Sequence, residues 1–231
     1  SLDLGVHPTL TSEWAGYRWA PLTLAGKASG LVDGEGYFPR TVAELAAHVD
    51  AGAAEAEMRA QVDRALAFGM EPTHIDTHMG GALCPALVEA YCRVGRDYRL
   101  PVLLPRRGDY YARVLKADAA AAALWREAAL RLDGMPLVDD FRMTPGVPTE
   151  ESDAAYRTLA ETLPEGVTFV AVHPNAPGDI ETIIPPRAHF RTDEYRIFGS
   201  GRMAMWLEAA KVQTIGMRPL LEAYRKALAA A

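Results

Sequence analysis

The feature that most constrains this chain is an alternation: short apolar runs are separated by longer amphipathic segments of helical periodicity. The runs fall at 2–7, 73–77, 101–104, 137–143, 167–173 and 212–216, and the helical segments at 41–49, 53–68, 85–98, 110–132, 150–163, 200–210 and 219–229. Alternation of this kind is what βα units and a parallel sheet produce. Six strands, with one or two more upstream, predict an α/β chain folded as a distorted or incomplete (β/α) barrel. An open doubly wound sheet is the weaker expectation because no GxGxxG opens a helix. The chain starts without Met, directly in the strand-like Leu2-Asp3-Leu4-Gly5-Val6. A single domain over 1–231 that lacks its first βα unit is therefore expected.

Composition narrows the partners. A net charge of -6 and no Lys/Arg block leave no basic field to attract a phosphate backbone, so nucleic acid is not expected as a partner. No apolar run is long enough to span a bilayer. Cys84 and Cys92 fall in one expected helix, roughly 12 Å apart at its rise per residue, which is too far for a disulfide. Free thiols suit a reducing cytoplasm, the expected location. Apolar helix faces leave a homodimer open.

Between Thr11 and Arg40 lies a long connection with little periodicity that contains Trp14, Tyr17, Trp19, Tyr37 and Phe38. Loops of this length inside compact domains are functional or disordered, and the aromatic content argues against disorder. Two uses stand side by side. The rings can stack on a pyranose face as a sugar-binding lid, with Trp14 and Tyr17 as the contacts, or they can pin the loop to the body.

Four of the six histidines fall at or near the ends of expected strands: His7, His74, His78 and His173. Carboxyl ends of strands carry the active sites of barrels and open α/β sheets, so three separate segments can converge on one site. In His74-Ile75-Asp76-Thr77-His78, positions 74, 76 and 78 share a side of an extended strand. Four residues of strand hold the two imidazoles about 13 Å apart, too far to share one metal. His78, before the flexible Met79-Gly80-Gly81, is the better ligand. His74 is then a deeper hydrogen-bonding residue, and Asp76 orients an imidazole or helps activate water. His7 joins as a second imidazole, and His173, before Pro174, can donate a proton to a leaving amine. His48 and His189 are read as solvated or structural, the latter in a loop. Asp139-Asp140 reads as an exposed acidic turn, and the helix bearing Glu57 and Gln61 as surface-packed.

Three segments, Gly5-Val6-His7-Pro8-Thr9-Leu10-Thr11, Pro72-Thr73-His74-Ile75-Asp76-Thr77-His78 and His173-Pro174, occur in the order found in the YdjC-like (ChbG) carbohydrate deacetylases, which the chain resembles. The second segment is the specific one. The resemblance implies a (β/α) barrel variant and a divalent cation, Mg or Zn, held by an Asp and two His. The His ligands fall on His7 and His78, with His173 at the catalytic histidine position and Asp76 beside the ligand. It also implies an activity: removal of the acetyl group from an N-acetylated sugar. The family's Ala-Asp-Asp-Phe-Gly strand, which supplies the Asp ligand, is absent from this sequence, and Met79-Gly80 stands where many relatives place another His. Two competing readings are a sugar-binding protein without catalysis and a barrel isomerase or phosphoesterase using the same histidines.

Overall fold

Two short strands, β1 (Leu4–Val6) and β2 (Pro72–Ile75), run parallel with Gly5 opposite His74 and Val6 opposite Ile75. Gly5 is required by close approach: a Cβ there would lie 2.5 Å from the His74 ring. The pairing continues past both strands, since Asp76 N donates to the Val6 carbonyl and His78 N to that of Pro8. Ile75 also bridges Val102 in parallel, and Arg106 N donates to the Val138 carbonyl. The computed structural model describes residues 2–132 and 134–230, and its contacts divide into two compact units, one of 1–138 with 216–231 and one of 139–215. Parallel pairing of successive segments makes this an α/β fold with small parallel sheets. Among the described residues no closed sheet joins them.

In the first unit the helices begin where the sequence offers caps. Thr41 and Glu44 form a reciprocal capping box at the start of α1 (Val42–His48), and Asp50 caps α2 (Ala51–Ala67). After β2 come α3 (Val88–Tyr98), α4 (Asp109–Val114) and α5 (Ala119–Leu130), and α10 (Arg218–Ala230) completes the unit. The expected continuous helix over 110–132 is broken. Lys116 takes a left-handed conformation and Asp118 accepts from Ala121 N at 2.8 Å, which starts a new helix instead of prolonging the old one. Buried Leu45, Met58, Val62, Ile75, Leu87, Tyr91 and Leu104 fill the core, and the Tyr91 hydroxyl donates to the Ile75 carbonyl at 2.9 Å. Cys84 precedes α3 rather than lying in it. Both cysteines are buried and free, and burial pushes the Cys92 thiol up to about 12.

In the second unit β3 (Asp140–Met143) pairs in parallel with β4 (Thr168–Ala171), and α6 (Thr149–Glu161), α7 (Asp179–Ile183), α8 (Ala188–Gly199) and α9 (Arg202–Ala209) surround them. Tyr156, Ala160, Ile197 and Met203 form its buried cluster. Three expectations change here. Residues 212–216 form no strand, and His189 lies in the first turn of α8 rather than in a loop. Asp140 is buried and accepts from Arg142 Nη1 at 2.5 Å, while Asp139 accepts from Val167 N at 2.8 Å, so the pair is not an exposed turn.

Candidate functional site

The extension of the β1–β2 pairing fixes where His7 and His78 stand. Each sits just beyond its strand, and the bond from His78 N to the Pro8 carbonyl holds the two exits together. Past β2 the chain turns at His78–Leu83, where Met79 and Gly80 both adopt positive φ. A Cβ at Gly80 would also meet the methyl groups of Leu115, at 2.6 Å, which would have to move aside, so the positive φ is the stronger reason for glycine here. This turn takes His78 out of the extended line that carries His74, and its ring lies beside that of His7.

The result is a row of four side chains. His7 Nδ1 lies 2.6 Å from Asp76 Oδ1, His7 Nε2 lies 3.3 Å from His78 Nδ1, and His78 Nε2 lies 2.9 Å from Glu13 Oε2. An ionised carboxylate only accepts, so both outer nitrogens carry the proton and donate. When both rings are neutral, the inner nitrogens face each other with lone pairs, an arrangement that repels unless a proton or a metal cation lies between them. Two nitrogens on one Zn²⁺-like ion, at roughly 2.1 Å each, stand roughly 3.0 to 3.4 Å apart. Carboxylate support at the second ring nitrogen is also the usual companion of a histidine ligand. The pair therefore fits a divalent cation as two donors. Among the described residues no group of three or more His, Cys, Asp and Glu side chains is arranged to complete such a site.

His74 lies behind this row, 8 % exposed against Gly5, with Nδ1 3.0 Å from Thr73 Oγ1. Burial holds its imidazole below the usual histidine range, against the opposing pull of Asp76 and Asp3.

The aromatic loop reaches the same place. Trp14, Tyr17 and Trp19 form a mutual cluster with centroids 5.7 to 6.3 Å apart, and Trp19 lies edge-on to His78 at 5.9 Å. Tyr17 is 63 % exposed and Trp14 is half-buried. Of the two expected uses of the loop, pinning to the body is the one the contacts display. Glu57, expected at the surface, is fully buried and accepts from Leu22 N, Thr23 N and Thr23 Oγ1. One turn on, Gln61 clamps the backbone of Thr9 at both its N–H and its carbonyl, each at 2.8 Å. Arg18 donates to Asp33 and to the Phe38 carbonyl, tying the two ends of the loop.

His173 belongs to the second unit. It follows β4 with its side chain exposed, and its N–H donates to Glu194 at 2.6 Å. Glu194 is fully buried and also accepts from Thr144 Oγ1 and the Tyr156 hydroxyl, each at 2.5 Å. Burial and this bond together keep the Tyr156 hydroxyl protonated far above its ordinary range. Neither Glu13 nor Glu194 lies in a sequence motif that marks it.

A facing imidazole pair at parallel strand exits, beside an exposed aromatic cluster, marks the candidate site of this α/β protein. The family model described as YdjC-like protein matches residues 1–209, and the chain belongs to that family. It is 35 % identical over 176 residues to a carbohydrate deacetylase of Thermus thermophilus, covering 76 % of this chain and 62 % of that protein. A carbohydrate deacetylase of Brevibacillus brevis is 32 % identical over 105 residues, covering 46 % and 39 %. The chain thus spans less than two thirds of the length of these relatives. A crystal structure from Enterococcus faecalis V583, described provisionally as a cellobiose-phosphate cleavage protein, shares the fold with a TM-score of 0.69. That likeness carries 21 % identity and covers 95 % of this chain and 78 % of the other. Among the described residues no helix is long and apolar enough to cross a membrane.

Proposed function

We propose that this protein is a metal-dependent hydrolase that removes the acetyl group from an N-acetylated sugar, water adding across the amide to give acetate and the free amine. The observation that carries the reading is the 3.3 Å pair of inner nitrogens on His7 and His78, each ring held from outside by a carboxylate. Family membership, and relatives that bear the name carbohydrate deacetylase, support the choice of reaction. His7 and His78 would hold the cation, Mg²⁺ or Zn²⁺, as two of its donors. Bound there, it supplies Lewis acidity toward a carbonyl oxygen and lowers the pKa of water.

The chain's own side chains do the rest. Asp76 keeps His7 in the tautomer whose Nε2 is bare and, as a carboxylate at the same strand exit, takes the proton of the attacking water. Trp14 and Tyr17 offer ring faces to the sugar. His173 stands where the family resemblance puts the catalytic histidine and is assigned protonation of the departing amine, a task suited to a side chain of histidine's type. The parallel segments of the fold are in this reading parts of a distorted (β/α) barrel.

The test is acetate release from N-acetylglucosamine oligomers. Release should stop when a chelator strips the protein, return when Zn²⁺ or Mg²⁺ is restored, and be undetectable in His7→Ala and His78→Ala. Oligomer binding that ignores the chelator, with no acetate formed, would instead assign a sugar-binding protein.

A further inference from the structure

We propose that Glu13 is a positioning residue for the cation site, holding the His78 ring so that Nδ1 rather than Nε2 faces His7. The proposal rests on the metal-site reading above. Glu13 Oε2 lies 2.9 Å from His78 Nε2, on side chains only 23 % and 21 % exposed, so the contact is partly shielded from water. An ionised carboxylate only accepts, and this places a proton on Nε2, so that in the neutral ring Nδ1 is bare toward His7 Nε2. Asp76 does the same for His7. The two rings are thereby set in mirrored tautomers by carboxylates from different segments.

Glu13 is itself rigidly placed. It follows Thr11 and Ser12, both fully buried, whose oxygens accept from Trp19 Nε1 and Trp19 N at 2.9 and 3.1 Å. Ser12 N in turn donates to the Pro39 carbonyl at 2.8 Å. On its other side Glu13 is bonded directly to Trp14, in the aromatic cluster. The carboxylate that orients a cation ligand is thus anchored in the loop that carries the exposed rings, and the cation site and the aromatic cluster are one mechanical piece.

The test compares Zn²⁺ affinity by calorimetry in the wild type, Glu13→Ala, Glu13→Gln and His7→Ala. Glu13→Ala should lose about tenfold to hundredfold in Zn²⁺ affinity. Glu13→Gln, whose amide oxygen still accepts from Nε2–H, should recover most of it, a rescue that a merely structural role for the charge would not give. In the Zn²⁺-loaded wild type, long-range ¹H–¹⁵N spectra should find His78 protonated on Nε2, a readout that needs no variant to fold. A His78 protonated on Nδ1, or a folded Glu13→Ala protein with wild-type affinity, overturns the proposal. If His7→Ala also binds Zn²⁺ like the wild type, the paired-imidazole reading fails with it. If His7→Ala loses binding and Glu13→Ala does not, only the role of Glu13 fails.

Discussion

The same local design occurs twice in this molecule and is held in two ways. Gly5-Val6-His7-Pro8 leaves β1, and Ala171-Val172-His173-Pro174 leaves β4; in both, a valine precedes the histidine and a proline follows it, which disfavours a helical exit. Around His7 the fixed element is the ring, held by Asp76 on one side and facing His78 on the other. Around His173 it is the backbone, whose N–H ends on the buried Glu194 together with Thr144 and Tyr156. In the proposed reaction the first arrangement would serve a cation ligand and the second a proton donor.

That contrast can be broken by experiment. The largest effect is expected for His173→Ala, which should lower deacetylation by about 10² to 10⁴ while Zn²⁺ affinity stays at the wild-type value. Parallel loss of affinity would erase the distinction between the two strand ends. Next comes Glu194→Ala, which strips three donors of their acceptor. Urea unfolding should show a loss of about 3 kcal/mol, since each buried donor left unpaired costs roughly 1 to 3 kcal/mol and water can rescue part of it. A change below about 0.5 kcal/mol, the scale of an ordinary surface substitution, would mean that the backbone of His173 is not anchored there. Tyr17→Ala removes an exposed ring and should raise KM for a chitooligosaccharide severalfold, about 1 kcal/mol, with kcat unchanged. An unaltered KM would remove Tyr17 from the sugar contact.

The smallest effect concerns His74. Its folded-state pKa lies below the unfolded value because burial disfavours the charged ring. The unfolded chain therefore binds more protons just below the unfolded histidine pKa. The stability that His74 contributes is present above that pKa and is lost as pH falls toward the folded one. Unfolding free energies at about pH 7.5 and about pH 5.5, on either side of the ordinary histidine range, should differ less in His74→Gln than in the wild type. Equal differences in the two proteins would exclude a buried neutral His74.

Much of the architecture was legible because periodicity and caps are local. β1, β2, β3 and β4 all fall within or beside the apolar runs, and Thr41 with Glu44 marks a helix start. What escaped was set by tertiary contact. α8 hides its stripe because Asp193 and Glu194 are buried alongside Ile197, so the segment looks polar on every face. The strand expected at 101–104 survives only as the bridge from Val102 to Ile75. At the site, the four histidines were visible as strand-end residues, and Asp76 could be assigned to an imidazole. Glu13 gave no signal, being a single acid in a loop without periodicity. Glu57 looked like the solvent face of a helix until Leu22 and Thr23 were seen to end on it.

The gap at Gly5 has a consequence for how this protein can vary. Because the imidazole of His74 occupies the volume that any side chain at position 5 would claim, the two positions are not independent letters of the sequence. Alanine at 5 would have to be accompanied by a smaller residue at 74, and a library randomising both together should yield its folded survivors as matched pairs, one residue shrinking wherever the other grows.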